Sequence, residues 1–171
     1  MKNDLYKEKV SKLISKAKEK GLIKKYSEYC QTEEMKQMAL SEEESKYYIT
    51  KNEEEKKKYN IGDIVFVSNY KYKSGLDGNN HSFVIIDESK AIDINYFGFL
   101  LSSKVNKADY SYNEILNKNK TNNLLKDSIV KCDDLIEIQE SKIKFKIGEV
   151  SKDDLEKFVN TYSKYIDSIK L

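Results

Sequence analysis

The sequence predicts an α+β fold in which a small curled β-sheet is preceded by helices and closed by one more helix. Apolar residues recur at helical spacing before residue 60, and from there to residue 147 they alternate or form short runs. After Ser151 the helical spacing returns. A period of 3.6 residues is typical of amphipathic helices and a period of two is typical of strands, so these changes divide the chain into its elements.

The change of period at Asn60 also predicts a domain boundary. Residues 1–59 would form a helical N-terminal extension, and residues 60–171 would form a β-domain with a C-terminal helix. A chain of 171 residues can bury a substantial core, but the extension has few apolar residues. We therefore expect the extension to pack on the β-domain or on a partner subunit rather than to fold alone.

Capping residues place three helices in the extension. Asn3 precedes a first helix with a clear apolar face, and Thr32 is a cap for a short second helix. Ser41 followed by Glu44 is a capping box that opens a third helix, expected to run toward Lys58.

Short runs rich in β-branched and aromatic residues predict the strands. These runs are residues 61–69, 82–87, 91–95, 97–103, 128–133, 135–138 and 143–147. A bend is expected near Tyr96 and Gly98, between the third and fourth runs. Ser151, with Asp154 three positions later, opens the final helix. The set predicts a small SH3-like barrel with a helix packed against it.

The composition excludes several classes of protein. No run reaches the roughly 18 apolar residues that a membrane span needs. The N-terminus is charged at short intervals and lacks the apolar stretch of a secretory signal, so we expect a cytoplasmic location. Cys30 and Cys132 are far apart and have no metal-ligand neighbours, which indicates reduced, inert thiols rather than a disulfide or a metal site.

The charge distribution limits how the chain could bind a nucleic acid. The net charge is +2, with fifteen lysines against twelve acidic residues in residues 1–60 and sixteen against seventeen in the remainder. Binding would therefore have to depend on a local patch rather than on the overall field. Arginine is absent, so a phosphate-binding site would use lysine, histidine, hydroxyl groups and backbone N–H groups.

The candidate site surrounds the only histidine of the chain, His81. It ends a loop, residues 70–80, that links the first two apolar runs and carries chemically useful side chains. If the run 97–103 lies beside the run 82–87, then His81, Ser102 and Lys104 would face one shallow groove. The loop would add four further candidates to it, which are Tyr70, Tyr72, Lys73 and Asp77.

Parts of the chain resemble the MazF/PemK-like toxins, the mRNA interferases of type II toxin–antitoxin systems. The family pattern begins with Gly-Asp and an apolar strand, as in residues 62–67. It continues through a glycine-containing loop into a second apolar strand, as in residues 81–86, and a third strand that ends in a hydroxyl and a basic residue, as in residues 100–108. The order and spacing agree from residue 61 to about residue 168.

The resemblance implies a dimeric SH3-like barrel that cleaves single-stranded RNA through attack by the 2′-hydroxyl, without metal or another cofactor. A protein antitoxin would be its partner. The catalytic arginine of the family falls on His81 and the catalytic threonine on Ser102, while the acid of the loop finds Asp77 nearby. Both catalytic positions are therefore substituted in this chain.

The chemistry of the side chains suggests which residues would act as base, acid and phosphate ligands. Cleavage through the 2′-hydroxyl needs a base, an acid and donors for the charge that builds on the phosphate. His81 suits proton transfer near neutral pH, and because one imidazole cannot be base and acid at once, Asp77 or Tyr72 would share the task. Contacts to the substrate would come from Ser102, Ser103, Lys104, Lys73, Tyr70 and Tyr72, with the tyrosines stacking on bases.

Two interpretations from different classes remain open. The first is an endoribonuclease toxin that acts on single-stranded RNA. The second is a catalytically degenerate module of the same shape that binds a protein or a nucleic acid in regulation or mobile-element defence. A histidine at a strand start is equally typical of a turn residue or a hydrogen-bonding partner. For the extension, the hypothesis is that it covers the groove or extends the dimer.

Overall fold

The computed structural model describes residues 2–51, 58–68, 70–71, 77–78, 80–89, 94–104 and 111–169, with the backbone alone for residues 2–3, 70–71 and 77–78. Its N-terminal elements are α1 (Lys2–Glu19), β1 (Lys24–Lys25), α2 (Tyr26–Tyr29), α3 (Glu33–Gln37) and α4 (Glu42–Lys51). The remaining elements are β2 (Asp63–Val67), β3 (Tyr70–Lys71), β4 (Asp77–Gly78), β5 (His81–Ser89), β6 (Asn95–Ser102), β7 (Asn113–Leu116), β8 (Ser128–Gln139), a 3₁₀ turn (Glu140–Lys142), β9 (Ile143–Glu149) and α5 (Lys152–Ser168).

Seven strands form one sheet in the order β1-β8-β6-β5-β2-β9, with β7 paired to β8 beyond this path. Among the described residues the path does not return to its first strand, so the curled sheet is open. The pairs are antiparallel apart from β1 with β8, and β3 and β4 form a separate two-stranded ladder. The structure therefore confirms an α+β fold with helices before the sheet and one helix after it.

Each face of the sheet has its own apolar cluster, because successive residues of a strand point to opposite sides. Ile64, Phe66 and Val84 lie in the first cluster, which α1 and α5 cover. Val65 and Phe83 lie in the second cluster, which the segment from α2 to α3 covers. Both the N-terminal part and the sheet contribute side chains to these clusters, and the division at residue 60 stays a prediction.

Three of the four predicted helix starts are confirmed by hydrogen bonds, and the first is wrong, because α1 already begins at Lys2 and Asn3 lies within it. The Thr32 hydroxyl accepts from the backbone N–H of Met35 at 3.3 Å, and the Ser41 hydroxyl accepts from that of Glu44 at 3.1 Å. At α5, the Ser151 hydroxyl accepts from the N–H of Asp154 at 3.1 Å. The helix α4 is described as far as Lys51; the predicted continuation over residues 52–57 lies outside the described residues.

Two predictions about the strands are wrong. The expected bend near Tyr96 and Gly98 is absent, because β6 continues through both residues. The register between β5 and β6 shifts on β5, between Ile85 and Asp87, and the register between β6 and β8 shifts between Phe99 and Leu101. The runs 128–133 and 135–138 are likewise one strand, β8. The predicted run 91–95 lies mostly outside the described residues, and Asn95 begins β6.

The Gly-Asp pair that opens the family pattern has a structural role. Gly62 has φ +93°, a value that favours glycine, and it donates to Ile85 O at 2.8 Å. The buried Asp63 carboxylate accepts from the N–H of Asn60 at 2.8 Å and pairs with Lys146 at 3.1 Å. The pair therefore fixes the start of β2 against its neighbours.

Candidate functional site

His81 and Ser102, the two residues that the sequence resemblance assigns to catalysis, lie on neighbouring strands. His81 begins β5 and Ser102 ends β6, and these strands pair antiparallel with Ser82 opposite Leu101. Continuing that register by one residue places His81 opposite Ser102. Residues directly opposite in an antiparallel pair project on the same face with Cβ atoms roughly 4.5–5.5 Å apart, so the imidazole and the hydroxyl share one face of the sheet.

His81 is completely buried on that face, with 0% of its surface exposed. Its Nε2 lies 2.8 Å from Met35 O, and its Nδ1 lies 3.3 Å from the Tyr26 hydroxyl. A carbonyl oxygen can only accept, so Nε2 carries the hydrogen of this bond, and in the neutral ring Nδ1 accepts from Tyr26. The rings of Tyr26 and Phe83 pack against the imidazole, with centroids 5.7 and 6.2 Å away.

The hydroxyl end of β6 lies close to the same N-terminal segment. Ser102 is buried, and its hydroxyl accepts from the backbone N–H of Lys104 at 3.2 Å. Ser103 is half-buried and Lys104 is exposed. The ammonium of Lys104 donates to Gln37 O, the last residue of α3.

A continuous stretch of the N-terminal part therefore covers the site, and we name residues 26–38 the cover segment. Five of its side chains belong to the apolar cluster on this face, namely Tyr26, Tyr29, Cys30, Met35 and Met38. Just after the cover segment, the backbone N–H of Leu40 donates to Asn80 O at 2.6 Å, and the Asn80 amide donates to the Ser45 hydroxyl at 2.9 Å. These two hydrogen bonds attach the chain after the cover segment to Asn80, the residue before His81.

A cluster of charged groups joins the other side of the cover segment to β8. Lys131 pairs with Glu34 at 2.9 Å and with Asp134 at 3.1 Å. The Tyr29 hydroxyl lies 3.0 Å from the Glu34 carboxylate and 3.1 Å from the Asp134 carboxylate, so its one hydrogen can be donated to either. Lys24, in β1, pairs with Asp134 at 2.9 Å. We name these five residues the charged latch.

The pKa values in the charged latch follow from this arrangement. Burial alone would lower the pKa of Lys131, but Asp134 and Glu34 outweigh it and raise that pKa to about 12. The hydrogen bond from Lys131 holds the pKa of Glu34 below its usual value. Burial would raise the pKa of Asp134, but Lys131 and Lys24 lower it. Lys131, Glu34 and Asp134 are therefore all charged near neutral pH, where opposite charges stabilise one another.

The other predicted site residues lie in the loop before His81. Tyr72 and Lys73 are outside the described residues. Tyr70 and Asp77 are placed by their backbones in β3 and β4, which pair with each other. That ladder has the same register as the hairpin of β2 and β5, in which Val67 lies opposite His81.

The structure thus brings His81, Ser102 and Lys104 together at one end of the sheet, but the shallow groove expected there is not open. The cover segment fills it because its apolar side chains and carbonyl groups match this face. Sequence reasoning missed Tyr26, Met35 and the charged latch. The apolar Met35 next to Glu34 in α3 was the available signal, but it does not indicate which distant strand the helix contacts.

The described residues show two further absences. Among residues 2–51, 58–68, 80–89, 94–104 and 111–169, no group of three or more His, Cys, Asp and Glu side chains is arranged to hold a metal ion. None of the helices in that part of the chain is both long and apolar enough to cross a bilayer. Both cysteines are buried free thiols, as expected.

Comparison with known proteins identifies one family. The family described as PemK-like, MazF-like toxin of type II toxin–antitoxin system matches residues 60–163. Among solved structures, the Mycobacterium tuberculosis toxin MazF-mt6 is similar at 12% identity and a TM-score of 0.46, over 64% of this chain and 99% of that one. No curated protein matches the sequence.

Proposed function

Because the chain belongs to the PemK-like, MazF-like toxins of type II toxin–antitoxin systems, we propose that it is an endoribonuclease that cleaves single-stranded RNA without metal. Attack by the 2′-oxygen on the adjacent phosphorus would break the bond to the 5′-oxygen. The products would be a 2′,3′-cyclic phosphate and a 5′-hydroxyl.

The observation that carries the proposal is the pairing of His81 with Ser102. The two residues stand at the positions of the family's catalytic arginine and threonine, and the register of β5 and β6 puts them opposite each other on one face. Lys104 follows two residues later, with its backbone N–H bonded to the Ser102 hydroxyl. A proton-transfer group, a hydroxyl and a cation at one strand end are what cleavage of a phosphodiester requires.

In this mechanism His81 takes the proton of the 2′-hydroxyl, and Asp77 or Tyr72 gives a proton to the departing 5′-oxygen. Ser102, Ser103 and Lys104 hold the non-bridging phosphate oxygens, and Lys73 attracts the backbone. Tyr70 and Tyr72 stack on bases, as aromatic side chains do for single strands. The match of the family to residues 60–163 and the chemistry of each side chain support these proposed roles.

The proposal extends to the partners of the chain. Toxins of this class are named for their pairing with antitoxins, so we expect a protein antitoxin encoded nearby. We also expect a homodimer in the cytoplasm. Sedimentation of the purified chain and sequencing of the adjacent reading frame would test these two expectations directly.

A second candidate function is a catalytically degenerate module that binds a protein or a nucleic acid. One observation favours it: both ring nitrogens of His81 are already hydrogen bonded and the ring is buried. A histidine in that state is a structural partner of the cover segment and takes no proton from a substrate. The two functions differ in whether RNA is cut when the site opens.

The test is incubation of the full chain with a mixed-sequence single-stranded RNA in EDTA. We expect cleavage that leaves cyclic-phosphate ends and that disappears in His81→Gln and Ser102→Ala. Glutamine keeps a donor and an acceptor but cannot titrate, so His81→Gln separates proton transfer from packing. Circular dichroism of each variant establishes that it is folded.

Ser89→Ala is the matched control for Ser102→Ala. It also removes a serine hydroxyl, but at the end of β5 that is far from His81. It should cut RNA at the wild-type rate. The cover segment loses its contact to Lys131 in Glu34→Ala. If both the wild type and this variant bind RNA without cutting it, the second candidate function is established instead.

A further inference from the structure

We infer that the cover segment acts as a pseudosubstrate, in which backbone carbonyl oxygens occupy the positions that phosphate oxygens of a bound RNA would take. The segment closes the site in cis, and a ligand reaches His81 only when it opens. The inference rests on the proposed function for the identity of the ligand, but not for the opening itself.

The carbonyl groups at the end of α3 carry the first part of the argument. Met35 O accepts from His81 Nε2 at 2.8 Å, and Gln37 O accepts from the Lys104 ammonium. A phosphodiester would offer oxygen acceptors to the same two donors. His81 begins β5 and Lys104 lies two residues beyond the end of β6, whereas both acceptors belong to α3. A single movement of α3 would therefore break both hydrogen bonds.

The second part is the way the cover segment is separated from the rest of the core. Its five buried side chains all belong to the cluster on the site face, which includes Val65, Phe83 and Leu100. The cluster on the other face contains residues of α1, α5 and the sheet, and none from 26–38. Opening would therefore expose one face of the sheet and leave the larger cluster packed.

The third part of the argument is the charged latch, which joins one edge of the cover segment to β8. Glu34 is the one latch carboxylate that α3 supplies, and its side chain is 54% exposed although it pairs with Lys131. Its neighbour Glu33 is 83% exposed and contacts only α3's own Lys36, at 3.7 Å, in the contacts the structure describes. Substitution of either glutamate removes the same charge, but only Glu34 connects the cover to β8.

Cys30 and Cys132 provide a direct measurement of opening. Both thiols are fully buried, Cys30 in the cover segment and Cys132 in the cluster on the opposite face. Local opening exposes Cys30 alone, whereas global unfolding exposes both. The experiment follows the alkylation of each thiol in the native full chain by peptide mass spectrometry, for wild type, Glu34→Ala and Glu33→Ala.

We expect Cys30 to react faster than Cys132 in the wild type, and Glu34→Ala to accelerate Cys30 by about threefold to tenfold while Cys132 is unchanged. Glu33→Ala should behave as the wild type. Equal rates for the two thiols, or the same rates in all three proteins, would show that the segment is a fixed part of the core and would overturn the inference.

The second readout is the binding of a fluorescent single-stranded RNA to the same three proteins. Tighter binding by Glu34→Ala but not by Glu33→Ala supports the pseudosubstrate, because the loss of one negative charge is common to both. If Glu34→Ala accelerates Cys30 labelling and neither variant binds RNA, the opening stands and the proposed function fails. If RNA binds equally to all three while Cys30 stays unreactive, the pseudosubstrate fails and the proposed function stands.

Discussion

The hydroxyl of Tyr26 is the smallest group whose removal tests the closed site. Tyr26→Phe keeps the aromatic ring, which packs edge-on against His81 and Phe83 with centroids 5.7 and 5.8 Å away. It deletes the hydroxyl that lies 3.3 Å from His81 Nδ1. The change therefore removes a hydrogen bond between the cover segment and the sheet and leaves the ring packing in place.

The cost follows from the burial of both partners, which are 1% and 0% exposed. A buried acceptor that loses its donor typically costs about 1–3 kcal/mol. The separation of 3.3 Å is long for such a bond, so we expect the lower part of that range, about 1–2 kcal/mol. With a slope of about 2 kcal/mol per molar urea, the midpoint of unfolding should fall by about 0.5–1 M.

The assay is equilibrium unfolding in urea, followed by circular dichroism. Tyr47→Phe is the control, because its hydroxyl accepts from Lys51 at the surface and its side chain is 39% exposed. It should shift the free energy of unfolding by less than about 0.5 kcal/mol. Equal midpoints for Tyr26→Phe and the wild type would refute the view that this hydroxyl holds the imidazole.

Three further predictions concern stability. A Cβ on Gly148 would lie 2.2 Å from Asn122 O, so Gly148→Ala should lower the free energy of unfolding in urea by more than about 3 kcal/mol. Gly21 has open space around it but a φ of +66°, so Gly21→Ala should lower that free energy by only about 1–2 kcal/mol. The pKa of Asp134 is lowered, so its ionised form stabilises the fold above about pH 4 and this contribution is lost as the pH falls through the lowered pKa. Asp134→Asn should therefore lose less Tm than the wild type between about pH 5 and pH 3, and an equal loss would contradict the latch. Deletion of α1 should abolish cooperative unfolding, because its apolar residues cover the larger cluster; a sharp two-state transition of the shortened chain would show that α1 is dispensable.

Local signals in the sequence predicted the elements well. The caps at Thr32, Ser41 and Ser151 depend on hydrogen bonds that span three residues, so no distant part of the chain is needed to identify them. The apolar runs 61–69 and 82–87 are rich in β-branched and aromatic residues, and they predicted the buried hairpin that β2 and β5 form.

Elements that depend on distant partners were missed. The strand β1 consists of two lysines, and it is a strand only because Lys24 and Lys25 pair in parallel with Ile136 and Glu137. The expected bend at Gly98 is absent. A Cβ there would lie 2.9 Å from Val84 O, so this glycine permits close approach of β5 and β6 and does not bend the chain.

The site was predicted in part. The order of motifs along the chain put His81 and Ser102 side by side, which the register of β5 and β6 supports. The cover could not be derived, because Tyr26 and Met35 lie 55 and 46 residues from His81 in the chain. No periodicity links positions so far apart, and the choice of face is made by packing alone.

The most direct test of the proposal that RNA binds beneath the cover segment is the alkylation rate of Cys30 in the wild type with and without saturating single-stranded RNA. Binding and opening are linked, so a ligand that binds only the open form must raise the open population. The account predicts that RNA accelerates Cys30 and leaves Cys132 unchanged. An RNA that binds but leaves Cys30 unreactive, or protects it further, would contradict the account.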